Sequence, residues 1–131
     1  MREAVTAFEL IHKQVFDFLD EVGLDYRGPF STAPEWVVLT KVGMASGQSA
    51  QGALEELFEA AEGLILDGVI AHSDQQARDL WAIRELIPEA NKRIGSVSSH
   101  DISVPISRVP EFIAKAPEVL AQVGEFRINC F

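Results

Sequence analysis

The chain has 131 residues, one of them cysteine, a formal net charge of −9 at pH 7, and 47% hydrophobic residues. This length and apolar content predict one domain with a hydrophobic core, spanning residues 1–131. The negative charge argues against nucleic acid or an anionic membrane as a partner, and no apolar run approaches the roughly 18–20 residues that span a bilayer.

Charge distribution and cysteine content support two further expectations. Residues 1–66 hold 11 acidic and 4 basic residues, a balance of −7, whereas residues 67–131 hold 9 acidic and 7 basic residues, a balance of −2. An anionic ligand is therefore expected in the second half. Cys130 has no partner for an internal disulfide, which favours a reducing, cytoplasmic location.

The first half of the chain predicts two helices around one strand. Helical spacing predicts a helix over residues 4–22, which stops at Gly23 and carries Val5, Phe8, Ile11, Val15, Leu19 and Val22 on one face. After a loop rich in Gly and Pro, a β-branched and aromatic run predicts a strand over residues 36–42. Residues 43–49 form a polar connection, and a second helix presents Leu54, Leu57, Phe58, Ala61, Leu64 and Ile65.

The second half alternates strands with helices. Strands are predicted over residues 69–71, 97–104 and 125–131. Between the first two, Ser73 and Gln76 form a capping box that opens a third helix, and Pro88 should end or kink that helix. A fourth helix lies between the last two strands, and its cap, kink and closing residue are Ser107, Pro117 and Gly124.

This order predicts an α+β fold of the ferredoxin-like, split βαβ type, with an antiparallel sheet and helices packed on one face. The chain ends inside the pattern of its last strand, so we expect a fragment of a longer protein. A second interpretation stays open, namely a stand-alone ferredoxin-like module that binds a small ligand or dimerises without catalysis, because this fold hosts many functions.

Arg84 is a charged residue on the predicted apolar face of the third helix, and this makes it the main candidate for a functional residue. It shares a face of the third helix with Leu80, Trp81 and Ile87, and this is the face that the helix should bury. A guanidinium in such a place needs an anion. One interpretation is a clamp for the carboxylate of a ligand, because the planar guanidinium matches two carboxylate oxygens. The other is an arginine that pairs with an internal Asp or Glu, or extends to solvent.

The other polar residues do not form a catalytic pattern. His100 and Asp101 are neighbours on the predicted strand, so they point to opposite faces and form no dyad. His12 and His72 have no ligand spacing, so no metal site is expected in the chain. Cys130 is interpreted as structural, and residues 43–49 lack the glycine spacing and lysine of a phosphate-binding loop. No catalytic residue is predicted.

Two motifs in order, LWAIRELI at residues 80–87 and HDISVP at residues 100–105, are followed by VPEFI and FRINCF. Together they resemble the C-terminal, substrate-side domain of FAD-linked oxidases, a family with flavin-dependent dehydrogenases for D-lactate, glycolate or D-2-hydroxyglutarate. The resemblance implies that the whole protein transfers hydride from a 2-hydroxy acid to FAD held by a separate N-terminal domain. The present chain would be a partial cap domain without bound flavin. A histidine segment that the family carries after this point, and that binds a divalent metal or substrate in some members, would supply the base.

The resemblance also implies site residues. Arg84 occupies the arginine of the family's LWxxRE motif, which contacts the substrate carboxylate. Some members carry a lysine where this chain has Ser99, so the serine speaks against a dicarboxylate such as 2-hydroxyglutarate, although His100 could take part of that role. We therefore expect Arg84, Ser99 and His100 at the substrate. We also expect an apolar surface where the FAD-binding domain should pack, which favours self-association of the isolated chain.

Overall fold

The structure is a computed structural model that describes residues 5–43, 49–95 and 97–131. Its elements in chain order are β1 (Val5–His12), α1 (Gln14–Glu21), β2 (Trp36–Val42), α2 (Ala50–Ala60), α3 (Asp74–Ile94) and α4 (Val109–Leu120). The fold is α+β, with a two-stranded antiparallel sheet and four helices, and is consistent with the predicted ferredoxin-like split βαβ arrangement.

The predicted first helix is wrong over its first half, which is strand β1. β1 pairs antiparallel with β2, and Glu9 lies opposite Leu39. Both faces of β1 carry apolar residues, and this hides the two-residue period of a strand. The residues with helical spacing lie on a helix only from Val15 onward. The change from strand to helix is fixed by His12, whose Nδ1 accepts a hydrogen bond from the backbone N–H of Gln14 at 3.2 Å.

The core lies between one face of the sheet, α1 and α3. Its buried hydrophobic residues come from β1, α1 and α3, and are Ile11, Val15, Phe16, Phe18, Leu19, Ile83, Ile87 and Ala90. Full burial of a side chain such as Leu19 contributes roughly 1.5–3 kcal/mol. Neither α2 nor α4 contains a buried residue, so the stable part of the fold is built from β1, α1, β2 and α3.

Three predicted strands, over residues 69–71, 97–104 and 125–131, do not form. Within the described ranges only β1 and β2 pair, and a strand without a partner leaves its backbone N–H and C=O groups unsatisfied. The last of the three segments still runs beside the end of β1, because the backbone N–H of His12 donates to the carbonyl of Cys130 at 3.0 Å.

The predicted start of helix α3 is confirmed, and of the two effects expected of Pro88, an end or a kink, the end does not occur. Ser73 accepts a hydrogen bond from the backbone N–H of Gln76 at 3.2 Å, as a capping residue should. Pro88 does not end the helix, which continues to Ile94 and stops before Gly95, whose φ is 129°. The proline removes one helix hydrogen bond, and burial of the apolar face of α3 on both sides of it offsets that loss.

The remaining predictions have mixed outcomes. The strand over residues 36–42 is confirmed. The second helix is confirmed where it carries Leu54 and Leu57, but it ends at Ala60, before Leu64 and Ile65. α4 follows a 3-10 turn (Ile106–Arg108), and no side chain caps it, so the prediction of Ser107 as its cap is wrong. The helix runs through Pro117 and ends at Leu120, before Gly124. Most of the predicted connection over residues 43–49 lies outside the described residues.

Candidate functional site

Arg84 lies on α3 at the border of the face that packs on the core. The centre of that face is formed by Ile83 and Ile87, which are 4% and 0% exposed. The side chain of Arg84 keeps 30% exposure, so it is less buried than its sequence neighbours led us to expect. A half-buried guanidinium combines a reduced local dielectric with access for a ligand.

A carboxylate of β1 holds Arg84 in place. The Nε of Arg84 donates to Oε2 of Glu9 at 3.2 Å, and the side chain of Glu9 is 31% exposed. Because alternate residues of a strand share a face, Glu9 lies on the same side of β1 as buried Ile11, and from there it reaches α3. The contact matches the internal-partner interpretation of Arg84. Glu9 was missed because the sequence pattern assigned it to a helix.

An aromatic ring covers the guanidinium. Cζ of Arg84 lies 5.1 Å from the ring centroid of Phe131, within the range of cation–π attraction. A guanidinium carries five N–H donors, of which Glu9 takes the one on Nε. In the part of the chain that the structure describes, the two Nη atoms of Arg84 donate to no protein acceptor. This Nη edge of the guanidinium presents N–H donors that match a carboxylate in shape and charge.

Side-chain contacts tie the segment that carries Phe131 to the core helices. Arg127 forms an ion pair with Glu21 at the end of α1, and its hydrogen bond lowers the pKa of the Glu21 carboxyl. The Nδ2 of Asn129 donates to Oδ1 of Asn91 on α3 at 2.9 Å. The aromatic wall of the site is therefore positioned by contacts that are distant in sequence.

Ser99 and His100 lie on an exposed segment that is not a strand, so the prediction that places His100 and Asp101 on opposite strand faces is wrong. Nε2 of His100 lies 2.9 Å from Oγ of Ser98. Ser99 lines a hollow of about 560 Å³, and Phe131 lines the same hollow. The structure thus connects Ser99 with the ring that covers Arg84, whereas His100 does not line the hollow.

Other candidates do not form a site. No group of three or more His, Cys, Asp or Glu residues that could hold a metal ion occurs within the described ranges. His12 packs edge-on against Trp36, with ring centroids 4.7 Å apart, and the backbone N–H of His72 donates to Oε1 of Gln76 at 2.7 Å in the turn before α3. Burial raises the pKa of the Cys130 thiol, which favours the unreactive protonated form.

A larger open groove of about 1890 Å³ runs along β2, α2 and the N-terminal part of α3. Phe58 and Trp81 are among its apolar lining residues. Of the three site residues expected from the sequence, none lines this groove. No helix within the described ranges is both long enough and apolar enough to cross a membrane.

Comparison with known proteins decides the family. Residues 1–131 match the family described as "FAD linked oxidases, C-terminal domain". The chain belongs to this family. The resemblance carried by the two motifs is thereby confirmed, and Arg84 is the arginine of the first of them.

The chain is similar to several proteins named as D-2-hydroxyglutarate dehydrogenases. It is 34% identical over 116 residues to a D-2-hydroxyglutarate dehydrogenase of Xanthomonas citri pv. viticola, and 33% over 122 residues to one of Stutzerimonas stutzeri. It is 29% identical over 114 residues to the mitochondrial D-2-hydroxyglutarate dehydrogenase of Rattus norvegicus. These alignments cover 82%, 92% and 85% of this chain but only 24%, 25% and 21% of the relatives. The chain spans about a quarter of their length or less. A cytoplasmic location for this protein stays a prediction.

Proposed function

We propose that this chain forms the substrate-carboxylate-binding part of a FAD-dependent 2-hydroxy acid dehydrogenase, and that Arg84 binds the carboxylate beside the hydroxyl-bearing carbon. The proposal rests on one observation. The guanidinium of Arg84 is anchored through Nε and covered by Phe131, while its Nη edge makes no hydrogen bond to any described protein group. Family membership and the names of the relatives support the substrate class.

The contact with Glu9 is compatible with this role. A free arginine side chain loses up to about 2 kcal/mol of conformational entropy when it is fixed. Glu9 and Phe131 already fix Arg84 before a ligand arrives, so less entropy is lost on binding. Glu9 offsets part of the positive charge, but its bond at Nε does not occupy the edge that offers two parallel N–H donors.

The diphosphate of FAD needs cations or backbone amides at a helix N-terminus. Seven of the ten cationic side chains in the described ranges, Arg84 among them, pair with carboxylates of the chain. FAD would be held by another part of a longer protein, where it accepts the hydride.

The contribution of this chain would be orientation. A carboxylate held at Arg84 leaves the hydrogen on the adjacent carbon free to face the acceptor, and such positioning is a main source of rate enhancement. When a 2-hydroxy acid becomes a 2-oxo acid, that carbon loses hydride and the hydroxyl group loses a proton. We assign no residue of this chain as the base that takes this proton.

The test is expression of the full-length gene product, an absorption spectrum and a dye-reduction assay with several D-2-hydroxy acids. We expect a yellow protein that reduces the dye. Replacing Arg84→Met should lower kcat/KM by about 10- to 100-fold, as expected for loss of charged hydrogen bonds. Arg78→Met is the matched control, because Arg78 lies on the same helix and bonds only to Gln75 in the described structure.

Two results would overturn the proposal. The first is a full-length product that binds no flavin and oxidises no 2-hydroxy acid. The second is an Arg84→Met variant whose kinetics equal those of the Arg78→Met control, because this would remove Arg84 from the site.

A further inference from the structure

Two side chains of the segment over residues 127–131 contact helix α3. The side chain of Asn129 bonds to Asn91, and the ring of Phe131 covers Arg84. The later residue of the segment thus meets the earlier residue of the helix, so the segment runs antiparallel to α3. Because residues two positions apart share a face of an extended chain, Asn129 and Phe131 reach the helix from the same face of the segment.

The contact between Phe131 and Arg84 depends on the register of this segment. A slip by one residue would turn Cys130 toward α3 and Phe131 away from it, since side chains alternate between the two faces. Outside helices and strands, the described backbone ties the segment down through one hydrogen bond, from the N–H of His12 to the carbonyl of Cys130 at 3.0 Å. A single backbone bond specifies the register weakly, so side chains have to supply the rest.

Asn91 and Asn129 form a buried polar contact that can do so. Asn91 is 9% exposed and is the only polar residue among the buried residues of the described chain. The Nδ2 of Asn129 donates to its Oδ1 at 2.9 Å, whereas Oδ1 of Asn129 is buried and accepts no hydrogen bond from a described group. A buried acceptor without a donor destabilises a fold, so an apolar pair would be more stable here. What the amide pair adds is direction, and buried polar residues specify register in this way in coiled coils.

We propose that Asn91 and Asn129 are positioning residues, whose hydrogen bond sets the register of residues 127–131 on α3 and thereby holds the ring of Phe131 over Arg84. This inference rests on the proposed function and adds the residues that keep the carboxylate-binding arginine in place. With the ring in position, the Nη edge of the guanidinium stays available to a carboxylate. In a slipped register Arg84 loses its cover, and binding weakens because more conformational entropy is lost when the ligand arrives.

The main test is a double variant of the full-length protein, Asn91→Leu with Asn129→Leu. Replacing both partners of a buried hydrogen bond by apolar groups is nearly neutral for stability, but it removes the directional contact. We therefore expect an unchanged or higher Tm and a kcat/KM for a D-2-hydroxy acid that falls about 3- to 10-fold, mainly through KM, as for loss of a cation–π contact. A pair that only stabilises the fold would leave kcat/KM unchanged when Tm is unchanged.

Phe131→Leu tests the same path from the other end. It should lower kcat/KM by about the same 3- to 10-fold. Adding the double variant to Phe131→Leu should then cost less than about 2-fold more, because the ring that the amides position is already gone. The matched control is Arg127→Met, which removes the ion pair of the same segment with Glu21 on α1. It should lower Tm and leave kcat/KM within about 2-fold, because this tether does not reach α3.

Four results would overturn the inference. The double variant keeps both Tm and kcat/KM, or its effect adds fully to that of Phe131→Leu. Phe131→Leu itself has unchanged kcat/KM, or Arg127→Met lowers kcat/KM as much as the double variant does. If the double variant lowers Tm, the comparison in the Phe131→Leu background still decides. A full-length protein that oxidises no 2-hydroxy acid, or normal kinetics in Arg84→Met, would instead overturn the proposed function.

Discussion

The contact between Arg84 and Glu9 makes a quantitative prediction about stability. A hydrogen bond to a charged group contributes about 1.5–3 kcal/mol, and a fully exposed ion pair about 0–1 kcal/mol. The two side chains are 30% and 31% exposed, and the Nε–Oε2 distance is 3.2 Å. Discounted for this exposure, the coupling free energy between the two residues should be about 1 kcal/mol.

A double-mutant cycle measures this coupling directly. Glu9→Leu, Arg84→Met and the double variant are unfolded with urea at pH 7 and followed by circular dichroism, at low salt and in 1 M NaCl. The coupling should fall at high salt, because the pair is partly screened. The same cycle on Glu89 and Arg93, an exposed pair one turn apart on α3, is the control, expected at about 0.3–0.5 kcal/mol. A coupling for Glu9 and Arg84 no larger than this control would refute the anchoring role of Glu9.

Three further predictions concern the rest of the chain. Burial raises the pKa of the Cys130 thiol, so labelling with a disulfide reagent at pH 7 should be several-fold slower in the folded than in the urea-unfolded chain, and equal rates would contradict this. The hydrogen bond from Arg127 lowers the pKa of Glu21 from its ordinary value. Its stabilising effect is thus present above the unfolded pKa and lost as the pH falls through the folded value, so Glu21→Gln should lower Tm at pH 7 but not at pH 2, and an equal loss at both would argue against the pair. Exposed side chains such as Leu66 and Ile106, 95% and 90% exposed, should make the isolated chain self-associate. Size-exclusion chromatography tests this, and a clean monomer at high concentration would oppose it.

Local sequence patterns predicted those elements that depend on local physics. The capping residue Ser73 and the β-branched run over residues 36–42 each act within a few residues of themselves, and both were found. β1 was missed because its stability comes from pairing with β2, roughly 30 residues away, and its sequence also satisfies a helical period. The segments over residues 97–104 and 125–131 have strand-like composition, yet the described chain offers them no partner strand.

The difference between local patterns and long-range contacts also explains which residues of the candidate site the sequence could predict. Arg84 could be found because a charged residue among apolar helix positions is unusual in a local window. Its partners could not, because Glu9 is 75 residues away in sequence and Phe131 is 47 positions further along.

The two halves of the site differ in how firmly they are held. Arg84 stands on α3 beside the buried positions Ile83 and Ile87, so the guanidinium should be in place before a ligand binds. Ser99 lies on an exposed segment without regular structure, and the segment of Phe131 is tied down by a few side-chain contacts. A ligand held at Arg84 beside Phe131 would also order this second half, at a cost in conformational entropy. Amide exchange in the segment of Ser99 should therefore slow when a saturating D-2-hydroxy acid is bound to the full-length protein. Unchanged exchange there, with a D-2-hydroxy acid that the protein oxidises, would show that the bound ligand does not order this segment.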